Sequence, residues 1–230
     1  MATVTKLVLG TPRGTVGNLV YRRVNGKTVV SERTSRYTVP MDRTSVNRRS
    51  MFALLMKYAS AVGSMPLVKS CWVQKRDKGN ATFNRIVSAN YNRLASAYVI
   101  PETLLTPMSG FPLILLEHTL TASALHLVFS ADVPALPRLH KAHTNMTAAI
   151  ILSLHAPFKR KHPAWMFLPL LSQPQSLSED QPFEVHIPLT PENKQWLRCY
   201  KSCRLLCAII FSASEHTARG FSHTVFVKMK

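Results

Sequence analysis

Apolar and polar positions change their period twice along the 230-residue chain. In the first fifty residues they alternate. Leu19, Tyr21 and Arg23 interleave with Asn18, Val20 and Arg22, which fits a short strand. Asn25-Gly26 follows, the pair best suited to a type I′ turn, because both central positions of that turn need φ > 0. Val29 and Val30 sit in the returning stretch. The pattern predicts a hairpin pairing about 18–24 with 27–33. An isolated two-stranded hairpin is marginal in water, so it needs a surface to lie on. Gly10, Gly14 and Gly17 ahead of it give the backbone access to φ > 0 or to close approach.

From about residue 43 the period becomes helical. Asp42 or Thr44 can cap a helix that carries Val46, Met51, Leu54, Leu55, Tyr58 and Val62 at helical spacings as far as Gly63. Pro66 opens a second, short helix with Leu67, Val68, Cys71 and Trp72. After the charged turn Lys75–Asn80, a third helix is expected from Ala81 to Tyr98, with Phe83, Ile86, Val87, Leu94 and Tyr98 facing inward and Pro101 ending it.

Beyond Pro101 the period falls to two and prolines become frequent. Strands are expected at Leu125–Phe129, Ala148–Leu154, Trp165–Leu170, Phe183–Ile187, Leu205–Phe211 and Thr224–Val227. Regular short strands separated by turns predict an antiparallel sandwich of immunoglobulin type. The Cys…Trp…Cys pattern of antibody domains is absent, so this expectation rests on spacing alone. The fold class is therefore α+β: a basic hairpin arm over 1–42, a helical segment over 43–100, and an Ig-like sandwich over 101–230.

Charge sharpens the division. The formal net charge is +18. Residues 1–100 hold 17 Lys/Arg against 3 Asp/Glu, a net of +14, whereas residues 101–230 hold 12 against 8, a net of +4. A positive field of that size attracts nucleic acid, anionic membrane or acidic protein. The opening MATVTKLVLGTPRG has too short an apolar run for a signal peptide, and no run reaches the ~20 apolar residues of a membrane helix. Four cysteines in no disulfide framework imply a reducing compartment, either cytoplasm or a virion assembled there.

The glycine-rich segment GTPRGTVGNLVYRRVNGKTVV (10–30), the run NRRSMFALL (47–55) and KGNATFNRIVSANY (78–91) resemble a family of uncharacterised, mostly Bacteroidota proteins, defined as a domain of unknown function. That resemblance implies a Gly-rich basic hairpin, a helical segment ending in an AFN-type motif, and an Ig-like C-terminal half. It covers roughly 1–100 closely and the rest in outline. It brings no catalytic residues.

Catalytic motifs are absent. There is no GxSxG elbow, no Walker A loop, no GxGxxG opening a helix and no HExxH. His140 and His143 lack a carboxylate between them. Cys199, Cys203 and Cys207 are spaced by four, unlike a CxxC zinc pair, and read as core or half-exposed thiols. No enzyme activity, cofactor, metal or small-molecule substrate is expected.

The basic series remains: Arg13, Arg22, Arg23, Lys27, Arg33, Arg36, Arg43, Arg48 and Arg49, with Tyr21 and Tyr37 interleaved, extended by Lys75, Arg76 and Lys78. Arg forks match phosphate oxygens and aromatic faces take bases. No RNP motif, helix-turn-helix or KH loop is present, so base readout is not implied. The sequence points to a non-enzymatic structural protein binding nucleic acid, RNA or a ribonucleoprotein surface in preference to a DNA site. The competing class is a self-assembling subunit of a virion, tail or filament, its arm adding a strand to a neighbour. A solvated basic face is the plainest alternative.

Overall fold

A computed structural model describes residues 2–4, 13–24, 26–33, 39–73, 81–95, 98–130, 145–176, 182–214 and 217–229. The chain divides into two units, 1–42 and 43–230.

The first unit is a four-stranded antiparallel sheet in the order β1-β4-β3-β2, from β1 (Ala2–Val4), β2 (Gly14–Val16), β3 (Leu19–Val24) and β4 (Lys27–Glu32). The expected hairpin is its centre, with Leu19 opposite Glu32 and Val24 opposite Lys27. Asn25 lies outside the described residues. Gly26 takes φ +81°, the left-handed value that a side-chain-bearing residue resists. Gly17, at φ +58°, turns the chain from β2 into β3. The hairpin is thus flanked on both sides by short strands.

The second unit begins with α1 (Arg43–Gly63), α2 (Pro66–Cys71) and α3 (Ala81–Asn90). The third helix is eight residues shorter than expected, and Leu94 and Tyr98 lie beyond it. The reason is Asn90. Its buried carboxamide donates to the carbonyls of Ile86 and Leu104 and accepts from the Leu104 N–H at 2.8 Å. It therefore ties the helix end to the following loop. The same loop is fixed to the other helices, because Tyr58 Oη donates to Leu104 O and Trp72 Nε1 donates to Leu105 O, each at 3.0 Å.

Two antiparallel sheets follow. β5 (Leu115–Leu120), β6 (Ala124–Phe129) and β10 (Phe183–Pro188) form one, in the order β10-β6-β5. β7 (Asn145–Pro157), β8 (Trp165–Leu171), β9 (Gln175–Ser176), β11 (Tyr200–Ser214), β12 (Thr217–Phe221) and β13 (Val225–Lys228) form the other, ordered β12-β11-β7-β8, with β13 on β11 and β9 on β7. Helix α4 (Pro191–Cys199) connects β10 to β11, capped by the Thr190 hydroxyl accepting from Asn193 N–H.

The larger sheet is buried on both faces. Ile150, Leu152, Leu205, Cys207 and Ile209 share a core with Leu125, Leu127, Val185 and Ile187 of the smaller sheet. Ala149, Ile151, Leu206, Ala208 and Ile210 share a second core with Leu54, Tyr58 and Ile86 of the helices. The result is three layers: helices, six-stranded sheet, three-stranded sheet. Each fully buried Leu or Ile contributes about 1.5–3 kcal/mol, so the central strands are where stability concentrates. Among the described residues no helix is long and apolar enough to cross a membrane.

Candidate nucleic-acid interface

The basic residues expected to meet a polyanion divide between the two units. In the sheet, alternation decides where each cation points. Arg22 stands opposite Val29 and Lys27 opposite Val24, so Arg22 and Lys27 share one face. Arg23 stands opposite the buried Thr28 on the other face. Arg13 immediately precedes Gly14, which pairs with Tyr21, so it enters the sheet on the Arg22 side of that pair. Arg13, Arg22, Arg23 and Lys27 thus collect at the end nearest the Gly26 turn. Arg33 is at the other end, its backbone N–H donating to Asn18 O at 2.6 Å. With strands about 4.8 Å apart, the four cations fall within about one Debye length, and their fields reinforce one another.

Arg43, Arg48 and Arg49 occupy the first two turns of α1 and are exposed. The buried stripe of the helix starts only at Leu54. No acidic residue stands in the first turn. A helix N-terminus is itself electropositive, and Asp42 stands directly before this one. Among the described residues, Arg13, Arg22, Arg23, Lys27, Arg33, Arg43 and Arg48 make no ion pair. Arg36, Lys75, Arg76 and Lys78 lie outside the described residues.

Two lysines escaped the sequence reading because each stands alone in an apolar run. Lys57 lines a cleft of about 370 Å³ between α1 and β8, and Lys69 one of about 530 Å³ beside α3. The thiols are placed as follows. Cys203 and Cys207 share one side of β11, and both are buried in the inter-sheet core. Burial pushes the Cys207 thiol far above its ordinary value, and the Cys71 thiol up to about 12, the latter partly offset by a backbone hydrogen bond. Cys199, at the end of α4, is half-buried.

No protein-family model matches the chain, and no curated protein matches it. Among solved structures it is similar to the β-glucosidase of Kluyveromyces marxianus. The match covers 63% of this chain and 17% of that one, at 8% identity and TM-score 0.21. Against the same enzyme in complex with glucose it covers 66% and 18%, at 9% identity and TM-score 0.20. The chain spans less than a fifth of that enzyme's length, and a likeness this weak carries nothing over to fold or chemistry.

Proposed function

We propose that this is a non-enzymatic structural protein that binds nucleic acid, RNA or a ribonucleoprotein surface in preference to a specific DNA site, in the cytoplasm or in a virion assembled there. The observation that carries the reading is the set of exposed cations Arg13, Arg22, Arg23, Lys27, Arg43 and Arg48, which make no ion pair among the described residues. Arg forks and a sheet of this width suit backbone phosphates. No cofactor, metal or small-molecule substrate enters this reading. The absorbance ratio at 260 and 280 nm of protein taken from its native source tests it. A ratio raised by bound nucleic acid and lowered after nuclease and re-purification is expected, and a protein-like ratio throughout counts against it.

A second reading is a self-assembling subunit of a virion, tail or filament. It is favoured by the small sheet's outer strands, β1 and β2, each paired on one side only among the described residues. Such edges accept a further strand. Assembly of this kind depends on protein concentration and survives nuclease.

For the C-terminal half we propose an Ig-like sandwich. Its strand order supports this. β5, β6 and β10 occupy the places of strands A, B and E in one sheet, while β8, β7, β11 and the β12–β13 pair occupy those of C′, C, F and G in the other. On this reading the helices over 43–90 are an addition covering the outer face of the C′CFG sheet.

A further inference from the structure

Four buried side-chain polar atoms have no hydrogen-bond partner among the described residues: Ser153 Oγ, His155 Nδ1, Trp165 Nε1 and Arg204 Nε. They are not scattered. Arg204 stands directly opposite Ser153 across the β11–β7 ladder, and His155 directly opposite Trp165 across β7–β8. Ser153 and His155 are two residues apart on β7, so all four share one face at one end of the six-stranded sheet. Opposed side chains have Cβ atoms about 5 Å apart and diagonal ones about 7–8 Å, so Ser153 and His155 of β7 adjoin each other between Arg204 on β11 and Trp165 on β8. Next to the cluster the same face carries Ala149, Ile151, Leu206, Ala208 and Ile210, which pack under the helices.

Tyr98 packs on this cluster. Its ring centroid is 5.4 Å from that of His155 and 3.7 Å from the guanidinium carbon of Arg204. Arg204 Nη1 donates to Val99 O at 2.6 Å. The guanidinium is therefore held by its face and by one edge, while its Nε–H remains without an acceptor. Ser153 is only 1% exposed. Buried polar groups in folded proteins are nearly all paired, and four orphans side by side mark a place meant for a further group.

Their chemistry specifies that group. Arg204 Nε and Trp165 Nε1 can only donate, the Ser153 hydroxyl can donate, and His155 Nδ1 can do either. Lys228 pairs with Arg204 from β13, adding a second cation. Strands β7, β8, β11 and β13 contain no Asp or Glu to answer them. Burial, then Arg204, then Lys228 hold the His155 imidazole below its ordinary pKa. A donor-rich, positively charged and partly buried set calls for an oxyanion. Trp165 also lines a surface cleft with Lys57, Ser60 and Ser64. We propose that Ser153, His155, Trp165 and Arg204 form a binding site for a small-molecule oxyanion, a carboxylate or a phosphate. The site is independent of the basic arm and stands or falls without it.

The test is calorimetric titration of the full chain with inorganic phosphate and, separately, acetate, at constant ionic strength in chloride. Saturable one-to-one binding of either anion is expected, and the one that binds assigns tetrahedral or planar geometry. Ser153→Ala should weaken it by about tenfold, the value of one lost hydrogen bond to a charged group. Arg204→Gln should abolish it. If Arg204→Gln fails to fold because Val99 and Tyr98 lose their anchor, the Ser153→Ala result decides alone. No saturable heat with either anion, or unchanged affinity in Ser153→Ala, overturns the proposal.

Discussion

Arg22 and Arg23 are adjacent in sequence and point to opposite faces of the small sheet, since Arg22 pairs with Val29 and Arg23 with Thr28. A sheet laid on a phosphate backbone engages one face first. The Arg22 face also carries Lys27, whereas the Arg23 face offers one cation at that end. Replacing Arg22 and Lys27 together by Gln should therefore lower the slope of log K against log salt by about 1.4–1.8, at roughly 0.7–0.9 per phosphate contact. Arg23→Gln should lower it by less than half as much. Equal effects per residue from both faces would contradict a one-faced contact.

The turn at Gly26 offers a test of the sheet itself. A Cβ there meets nothing within 4 Å, so space is not the obstacle, but φ +81° is. Gly26→Val should cost about 1 kcal/mol or more, because a β-branched residue resists positive φ. Amide hydrogen exchange should accelerate across 19–32 and stay unchanged in the second unit. Unaltered exchange in that hairpin would count against the turn.

Gly110 is a different case. A Cβ on it would sit 2.5 Å from the backbone carbon of Ser222, where Phe111 forms a bridge. Backbone cannot yield as a side-chain tip does, so Gly110→Ala should destabilise the second unit by about 1–3 kcal/mol. A denaturant midpoint equal to the parent's would show that the contact is looser than it looks.

The strands were the most legible part of the sequence. Ala148–Leu154 and Leu205–Phe211 lie within β7 and β11. In these two strands the expected period of two gives way to continuous apolar runs, because helices cover one face of the central sheet and the smaller sheet covers the other. Strand β12, TARGF, was not visible, since an edge strand with a half-covered face needs no apolar pattern. Helix α4 is absent from the expected succession of strands and turns, although Thr190 and Pro191 carry the cap and first-turn signals of its start. Among the candidate site residues, the cations were plain in the composition, but their division between two faces required the register. The Ser153–Arg204 cluster left no motif, because its members are 51 residues apart in the chain and meet only through the β7–β11 pairing.

His155 makes stability depend on pH. Its folded pKa is lowered from 6.5, chiefly by burial, so the unfolded chain takes up the proton first as pH falls. This contribution is fully present above about 6.5 and is lost as pH drops below that value. Urea unfolding at pH 7.5 and 5.5 should show a fall in stability that is smaller in His155→Gln. An identical fall in both proteins would place His155 outside the linkage.

The thiols should differ in reactivity. Cys203 and Cys207 are buried, and Cys71 is pushed up to about 12, whereas Cys199 is partly exposed. The thiolate is the reacting form, so brief iodoacetamide treatment of the native protein should label Cys199 and spare Cys207. Mass spectrometry showing rapid labelling of Cys207 without denaturant would contradict the packing of β11.

Electrostatic binding of nucleic acid by the arm and the first turns of α1 is tested most directly by one titration. Single-stranded RNA and DNA of several sequences are bound to the parent protein and to a variant with Arg22, Arg23, Arg48 and Arg49 all changed to Gln, over a range of salt. Expected are a parent slope of several units, a variant slope shallower by about three, equal weakening across sequences, and an unchanged melting midpoint for the second unit. Equal affinity of parent and variant at matched salt would contradict it, and loss of self-association in place of nucleic-acid binding would transfer these arginines to the assembly reading.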